Sequence, residues 1–255
     1  MSDFVNVTVA DGIQTIRIER ADKKNALTQD MYSVLAGSLN GAEDNPEIRV
    51  TVITGTADSF TSGNDLMDFL QNPSQDEEKP VIQFLYALAN IRKPLVAAVN
   101  GLAVGVGTTM LLHCDLVYAS SQATFSLPFV NLALVPEAAS SLLLPKMLGH
   151  QRAAELLLLG DSFSPEKALA YGIINEIVAP ENLEATAMTA AGKLAEKAPE
   201  ALRLAKSLLK QDTDAVLKQM KAEGEIFGSR LVSAEAREAM QAFMEKRKPD
   251  FKQFS

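Results

Sequence analysis

The chain is poor in the side chains on which much protein chemistry depends. Its 255 residues include one cysteine, Cys114, and two histidines, His113 and His150. A lone cysteine excludes an internal disulfide framework, fits a reducing compartment and is expected to be a buried core thiol. His113 and Cys114 are neighbours on a predicted helix and so point in different directions, which excludes a nucleophile and base pair. No His/Cys spacing suits zinc, and both histidines are expected to be structural or surface residues. Positive charge is also short, with 24 Lys and Arg against 32 Asp and Glu and a net charge of -8. This excludes a general nucleic-acid surface, because phosphate binding needs clustered Lys and Arg. Nor is there a membrane span of about 20 apolar residues, since the longest uncharged stretch is broken by Asn100, Gly101, Gly105 and Gly107. The N-terminus carries no cationic, apolar signal, and the end Lys252-Gln253-Phe254-Ser255 is no Ser-Lys-Leu address, so a cytoplasmic location is expected.

Several motifs are missing as well. Gly105-Val106-Gly107 lacks the third glycine of a dinucleotide fingerprint and the Lys-Ser/Thr ending of a P-loop, and no Gly-x-Ser-x-Gly elbow occurs. What is present is a 47% hydrophobic composition, enough for a sizeable core in one large domain or a domain with an appendage. Val5 to Val9 and Ile13 to Ile18 alternate around Asp11-Gly12, which predicts a hairpin. Thr28 reads as an N-cap to a helix carrying Met31, Leu35 and Leu39 and ending near Gly41. Arg49 to Thr54 and Leu95 to Val99 read as buried strands, with an acidic mobile loop at Gln71 to Lys79 between them. A helix is predicted from the glycine turn after Gly101 through Leu112, then a strand at Leu116 to Ala119, a helix start at Ser164-Pro165 and a strand at Ile173 to Val178. This alternation predicts an α/β fold. Residues 181–248 are rich in Ala, Leu, Glu and Lys and predict three helices used partly for self-association.

Three stretches carry chemical content. Ser59 to Leu66 is a loop of small residues whose N–H groups are available to a ligand. Val99 to Thr109 places glycines at a helix start, where free N–H groups suit an anion or a developing oxyanion. The third is Leu132 to Leu148, LALVPEAASSLLLPKML. From Pro94 to Pro145 the only charged residues are Asp115 and Glu137. A carboxylate in such a run needs a partner or a raised pKa, unless Pro136-Glu137 simply opens a solvent-facing helix.

Taken together, four segments resemble the crotonase, or enoyl-CoA hydratase/isomerase, superfamily over nearly the whole chain. They are Arg20 to Leu27, Phe60 to Leu66, Asn100 to Gly107 and Phe243 to Phe251. The resemblance implies a crotonase-like spiral of repeated ββα units with a helical C-terminal region. It places the spiral core with its acyl-CoA site in residues 1–195, and in 196–255 a helical region that mediates trimerisation and covers the site. It implies an acyl-CoA thioester substrate, no cofactor beyond the coenzyme A of that substrate, no metal, no nucleic-acid or membrane partner, and a homotrimer or dimer of trimers. The thioester oxygen would meet the N–H groups of Ser62 and Val106. Ala26, Leu27, Gly63, Asn64, Asp65, Leu66, Gly105, Phe129 and Leu132 would line the substrate site. Arg20, Lys23, Lys24, Lys246, Arg247 and Lys248 are candidates to meet the CoA phosphates.

Hydratases of this superfamily carry one glutamate shortly after the second glycine loop and another just after the next proline. Here those positions are Thr109 and Phe129. The carboxylate at Glu137 resembles instead the single base of Δ3,Δ2-enoyl-CoA isomerases, which would move a proton from C2 to C4 of a 3-enoyl thioester. Phe129, Leu132, Leu134 and Leu142 would keep such a site dry. Alternatives with the same fold are an isomerase of another CoA thioester, such as a ring-derived epoxide or a dienoyl chain, an enoyl-CoA hydratase, and a non-catalytic acyl-CoA-binding scaffold.

Overall fold

The computed structural model describes residues 2–65, 67–68 and 78–254. The loop predicted at Gln71 to Lys79 falls almost wholly outside that set, as does Leu66. Strands β1 (Val5–Ala10) and β2 (Ile13–Ile18) form the expected hairpin, in register from Val5 opposite Ile18 to Ala10 opposite Ile13. Asp11 and Gly12 turn it with φ of 51° and 76°, the paired left-handed geometry that follows the twist of two antiparallel strands. Thr28 caps helix α1 (Gln29–Asp44) by accepting the Met31 N–H at 3.4 Å. Met31, Leu35 and Leu39 are buried as their spacing predicts, and the helix continues past Gly41 because Ala42 adds a further buried contact.

The chain then repeats one unit, in which one strand joins a large sheet, the next short strand joins a small one, and a helix follows. Strands β3 (Val50–Thr54) and β4 (Ser59–Thr61) lead to α2 (Pro80–Asn90). Next, β5 (Leu95–Val99) and β6 (Leu102–Val104) lead to α3 (Val106–Thr109), which tightens into a 3₁₀ turn at Met110–His113. Then β7 (Leu116–Ser120) and β8 (Thr124–Ser126) lead through a 3₁₀ turn at Val130–Leu132 to α4 (Ser140–Leu148). After α5 (His150–Ala154), Ser164 caps α6 (Pro165–Ala170), and β9 (Glu176–Val178) completes the large sheet. The six-stranded sheet has the order β1-β2-β3-β5-β7-β9 and the three-stranded sheet β4-β6-β8. Beyond the hairpin these strands pair with one another in parallel among the described residues. Every residue of β3 and β5 is buried, as continuous apolar strands of a covered parallel sheet should be. This is the expected spiral of ββα units.

Three elements differ from their sequence-based expectations. Leu102–Val104 pairs as β6 rather than forming part of the glycine-rich turn expected before the helix, because β4 and β8 flank it. Ile173 and Ile174 are buried but precede β9, since the Ile173 N–H closes the end of α6 on Ala168 O at 2.9 Å. The C-terminal stretch holds four helices among the described residues rather than three: α7 (Leu183–Ala195), α8 (Pro199–Leu209), α9 (Thr213–Leu231) and α10 (Ala234–Met244). Pro199 starts α8, and the Ser233 hydroxyl starts α10 by accepting the Ala236 N–H at 3.1 Å, so one apolar pattern is cut into separate rods. Among the described residues no helix is long and apolar enough to cross a membrane.

Asp115, one of the two charges in the apolar run, is partnered. It accepts the Leu95 N–H at 2.7 Å and Lys206 Nζ at 2.6 Å, and Lys206 also donates to Lys93 O at 2.7 Å. Lys206 is buried on α8 and ties that helix to the sheet. Truncating one partner of a buried pair leaves the other uncompensated. Lys206→Ala is therefore expected to lower unfolding free energy by about 3 kcal/mol, the low end of the range because Asp115 keeps some solvent. Urea denaturation checks this, and an unchanged midpoint would mean that solvent already screens Asp115.

Candidate active site

Two loops meet where β4 and β6 end. Ser62-Gly63-Asn64 leaves β4, and Gly105-Val106-Gly107 leaves β6. They pack backbone against backbone. A Cβ at Gly63 would lie 2.9 Å from Val104 O, and one at Gly107 would lie 2.8 Å from Thr61 Cγ2 and 2.9 Å from Thr61 O. Gly63 also holds φ at 89°. A side chain at either position would push the loops apart.

Hydrogen bonds decide which N–H groups face the gap. Ser62 N–H donates to Lys24 O at 3.0 Å, Gly63 N–H to Thr61 Oγ1 at 3.1 Å, and Asp65 N–H to Leu27 O at 2.9 Å. The Asn64 N–H finds no acceptor among the described residues. On the other loop Gly105 N–H donates to Ser126 O at 3.0 Å, whereas the Val106 N–H, at the first position of α3, has no acceptor among the described residues. The Val106 N–H is thus unengaged among the described residues, whereas the Ser62 N–H is already taken by Lys24 O. The neighbouring strand-like contact between Leu27 and Asn64 turns the Ser62 amide toward the Arg20 to Leu27 segment and leaves Asn64 to face the gap. Tyr32, fully buried on α1, donates its hydroxyl to Asn64 Oδ1 and holds that side chain.

Both loops line a cavity of about 310 Å³. Glu137 lies on its wall beside Phe129, Leu132 and Leu134. It is only 8% exposed, and Oε1 has no hydrogen-bond partner among the described residues. Burial first, and the charge of Glu223 second, push its carboxyl up to about 8. The solvent-facing helix start is thereby excluded, for α4 begins only at Ser140. Glu137 precedes it in a loop where Ala133, Ala138 and Ala139 adopt φ of 55°, 59° and 57°. Left-handed alanine is unfavourable and persists only where surroundings enforce it. Here Arg230 Nε donates to Ala133 O at 3.0 Å, and His113 Nε2–H donates to Ala138 O at 2.9 Å. Burial holds His113 neutral, its pKa lowered to about 4, so its expected structural role is the one observed.

Of the predicted site residues, Ser62, Gly63, Asn64, Gly105, Val106, Phe129, Leu132 and Glu137 line the cavity. Ala26, Leu27 and Asp65 do not. They brace the first loop from behind: Arg20 Nη1 donates to Ala26 O at 2.9 Å and to Asp65 Oδ2 at 2.7 Å, and Leu27 is buried. Leu142 packs against the core rather than the cavity. Among the basic candidates, Arg20 is committed to Asp65, Lys24 to Asp58, and Arg247 to Glu238 and Glu245. Lys23, Lys246 and Lys248 are exposed. Thr109 is buried and off the cavity wall, and its Oγ1 has no partner among the described residues. Cys114 is only partly buried, its Sγ–H directed to Met110 O. The wall also contains Phe227 and Met240, which the sequence did not single out, together with Phe243 of the terminal segment and Arg247, expected only as a phosphate contact. Met240 and Phe243 share one helical face of α10, but nothing local says which surface it meets, and Arg247 lies beyond the end of that helix. Among the described residues no group of three His, Cys, Asp or Glu side chains is placed to hold a metal ion.

Residues 8–254 match the family described as Enoyl-CoA hydratase/isomerase. The chain belongs to that family. It is similar to enoyl-CoA delta isomerase 3, peroxisomal, of Mus musculus, with 34% identity over 228 residues, 87% of this chain and 72% of the relative. It is similar at nearly the same level to crotonyl-CoA hydratase of Syntrophomonas wolfei, with 31% identity over 245 residues and 94% of each chain. Among solved structures, the enoyl-CoA hydratase/isomerase from Pseudoalteromonas atlantica T6c superimposes with a TM-score of 0.93 at 41% identity, covering 98% of this chain and 100% of that one. Fold and family, an enzyme of the crotonase superfamily, are thus shown. An isomerase and a hydratase are both similar to the chain at about this level, so the reaction has to be argued from the site.

The raised carboxyl has a consequence for stability. The unfolded chain loses the Glu137 proton near the ordinary value of 4.5, the folded protein near 8. The stability that this proton contributes is complete below 4.5 and is lost as pH rises through about 8. Glu137→Gln removes the effect. Chemical denaturation of both proteins across this range is expected to show the variant gaining on the wild type by a few kcal/mol as pH rises; a pH-independent difference would mean that the carboxylate ionises without penalty.

Proposed function

We propose that this enzyme moves a double bond of an enoyl-CoA from the 3 to the 2 position, with Glu137 as its single acid–base group. One observation carries the reading: a buried carboxyl with an unpartnered oxygen faces an apolar cavity, while the position of the second hydratase glutamate is filled by the Phe129 ring on the same wall. The cavity volume is at the low end for small-molecule sites, so it suits the acyl group with the rest of the coenzyme outside.

In the proposed cycle the thioester oxygen sits between the N–H groups of Asn64 and Val106, which acidify the C2 protons. The Glu137 carboxylate takes a proton from C2, the electron pair delocalises to the thioester oxygen as a dienolate, and the two donors hold the negative charge. The Glu137 carboxylic acid then returns the proton to C4 as the double bond settles between C2 and C3. Donors fixed by the close packing of Gly63 and Gly107 need no rearrangement during the reaction. An apolar wall raises the basicity of the carboxylate and keeps water from the product.

The direct test is Glu137→Gln assayed with 3-enoyl-CoA. Turnover is expected to fall roughly 100-fold to 10,000-fold with acyl-CoA affinity nearly unchanged, because the backbone donors remain. Wild-type turnover in the variant would remove Glu137 from the mechanism. In the wild-type protein kcat/KM should rise with pH up to about 8, where the carboxylate becomes the dominant form.

A second assay separates the two reactions of the family. With Thr109 and Phe129 at the hydratase positions, 2-enoyl-CoA should keep its conjugated thioester absorbance even at high enzyme concentration. Hydration at a rate comparable to isomerisation would sink the single-base mechanism.

A further inference from the structure

The carboxyl group of Glu223 is a second buried acid close to the site, and the proposed proton transfer does not use it. It lies on α9, far along the chain from Glu137, and is 5% exposed. Its two oxygens are fully engaged on the turn that follows Glu137. Oε2 accepts the Ala139 N–H at 2.6 Å; Oε1 accepts the Ser141 N–H at 3.0 Å and the Ser141 hydroxyl. Gln219, one turn earlier on α9, donates to Ser141 Oγ at 2.8 Å. These amides open α4 and have no partners of their own within the helix. Ala139 and Ala138 are the two left-handed residues that turn the chain immediately after Glu137.

We propose that Glu223 is a positioning residue for Glu137, binding the start of α4 so that the Ala138-Ala139 turn aims the Glu137 carboxyl into the cavity, and acting on its basicity as a fixed neighbouring negative charge. The inference rests on the reading of Glu137 as the base. An uncharged cap could accept the same amides, yet this site holds a carboxylate beside another buried carboxyl, an arrangement that costs stability. Burial and then Glu223 raise the Glu137 carboxyl, and burial raises Glu223 itself against the three hydrogen bonds that favour its ionised form.

The other groups around Glu137 do not duplicate this role. Tyr32 on α1 feels the charge of Glu137 and of Asp68, and burial keeps its hydroxyl protonated. His113 approaches the turn from the 3₁₀ segment after α3 and is neutral. Arg247 reaches the cavity wall with its guanidinium held by Glu238 and Glu245. Glu223 is the group through which the C-terminal helices act on the turn and on the charge together.

Two substitutions separate the functions. Glu223→Gln keeps the shape and removes the charge, but one of its ends now presents N–H to a backbone N–H. Isomerisation followed from about pH 5 to 10 is expected to show the high-pH plateau of kcat reduced roughly 10-fold and the acid limb of kcat/KM shifted to lower pH, because the base is weaker without its neighbour. Glu223→Asp keeps the charge and shortens the reach. It should lower the plateau while leaving the acid limb near its wild-type position. Affinity for a saturated acyl-CoA should stay within about 2-fold in both, since neither loop donor is touched. A thermal melt and that affinity identify any variant that has simply failed to fold, and the remaining variant then decides. A folded Glu223→Gln protein with wild-type plateau and wild-type acid limb would overturn the inference, as would an acid limb that moves equally in both variants. If Glu137→Gln is inactive while both Glu223 variants behave as wild type, only the role of Glu223 falls. If Glu137→Gln itself is active, the reading of the base falls first.

Discussion

A carboxyl group kept in an apolar cavity with one oxygen unpartnered is the constraint around which this structure is arranged. Left to itself such a group would turn to water or find a cation. Glu137 does neither, because the backbone on each side is held elsewhere: Arg230 on Ala133, His113 on Ala138, Glu223 on Ala139 and Ser141. Three unfavourable alanine conformations and a proton retained to about pH 8 are the visible costs of that placement. Costs of this kind concentrate at functional sites, where the surrounding fold over-determines the geometry.

The contrast with Asp115 shows how the same residue class serves a different end. Both acids interrupt one apolar stretch. Asp115 receives an ammonium and a backbone N–H, and becomes the point at which α8 is fastened to the large sheet. Glu137 receives neither and stays basic. What separates them is the reach of distant helices: Lys206 arrives at one, and at the other arrives Glu223, which binds the backbone beside the carboxyl rather than the carboxyl itself.

The repeated ββα unit explains why the unpaired Asn64 and Val106 N–H groups lie on neighbouring loops of one cavity. Each unit contributes one strand to the small sheet, so the loops leaving β4 and β6 emerge side by side. Gly63 and Gly107 then allow them closer than any side chain would permit. The polarising site proposed here would be built from backbone, and so would tolerate change in side chains but not in chain path, which fits a family in which both an isomerase and a hydratase are similar to this chain. In the proposed mechanism the chemistry then depends on which carboxylates line the cavity.

Much of this was legible in the sequence. Alternation around Asp11-Gly12, the Thr28 cap, the apolar strands and the glycine loops are local signals, and each element formed because a turn residue, a cap or a periodic face required it. Glu137 was legible too, as a charge with no neighbour to explain it. The donor of the first loop was not. Whether Ser62 or Asn64 faces the gap depends on the Arg20 to Leu27 segment, which takes the Ser62 amide through Lys24 O and leaves that of Asn64. The C-terminal helices were legible as helices, but the surface they pack on, and the placing of Phe227, Met240 and Phe243 along the cavity, were not, for a related reason. Amphipathic spacing states that a face is buried and not what buries it. The sequence by itself determined the repeating elements, the glycine loops and the isolated carboxylate, because these follow from short-range backbone preference and hydrophobic period. Only the tertiary structure decided which N–H groups stay unpaired and that Glu223 sits against the turn after Glu137, because both depend on contacts between segments that the sequence keeps far apart.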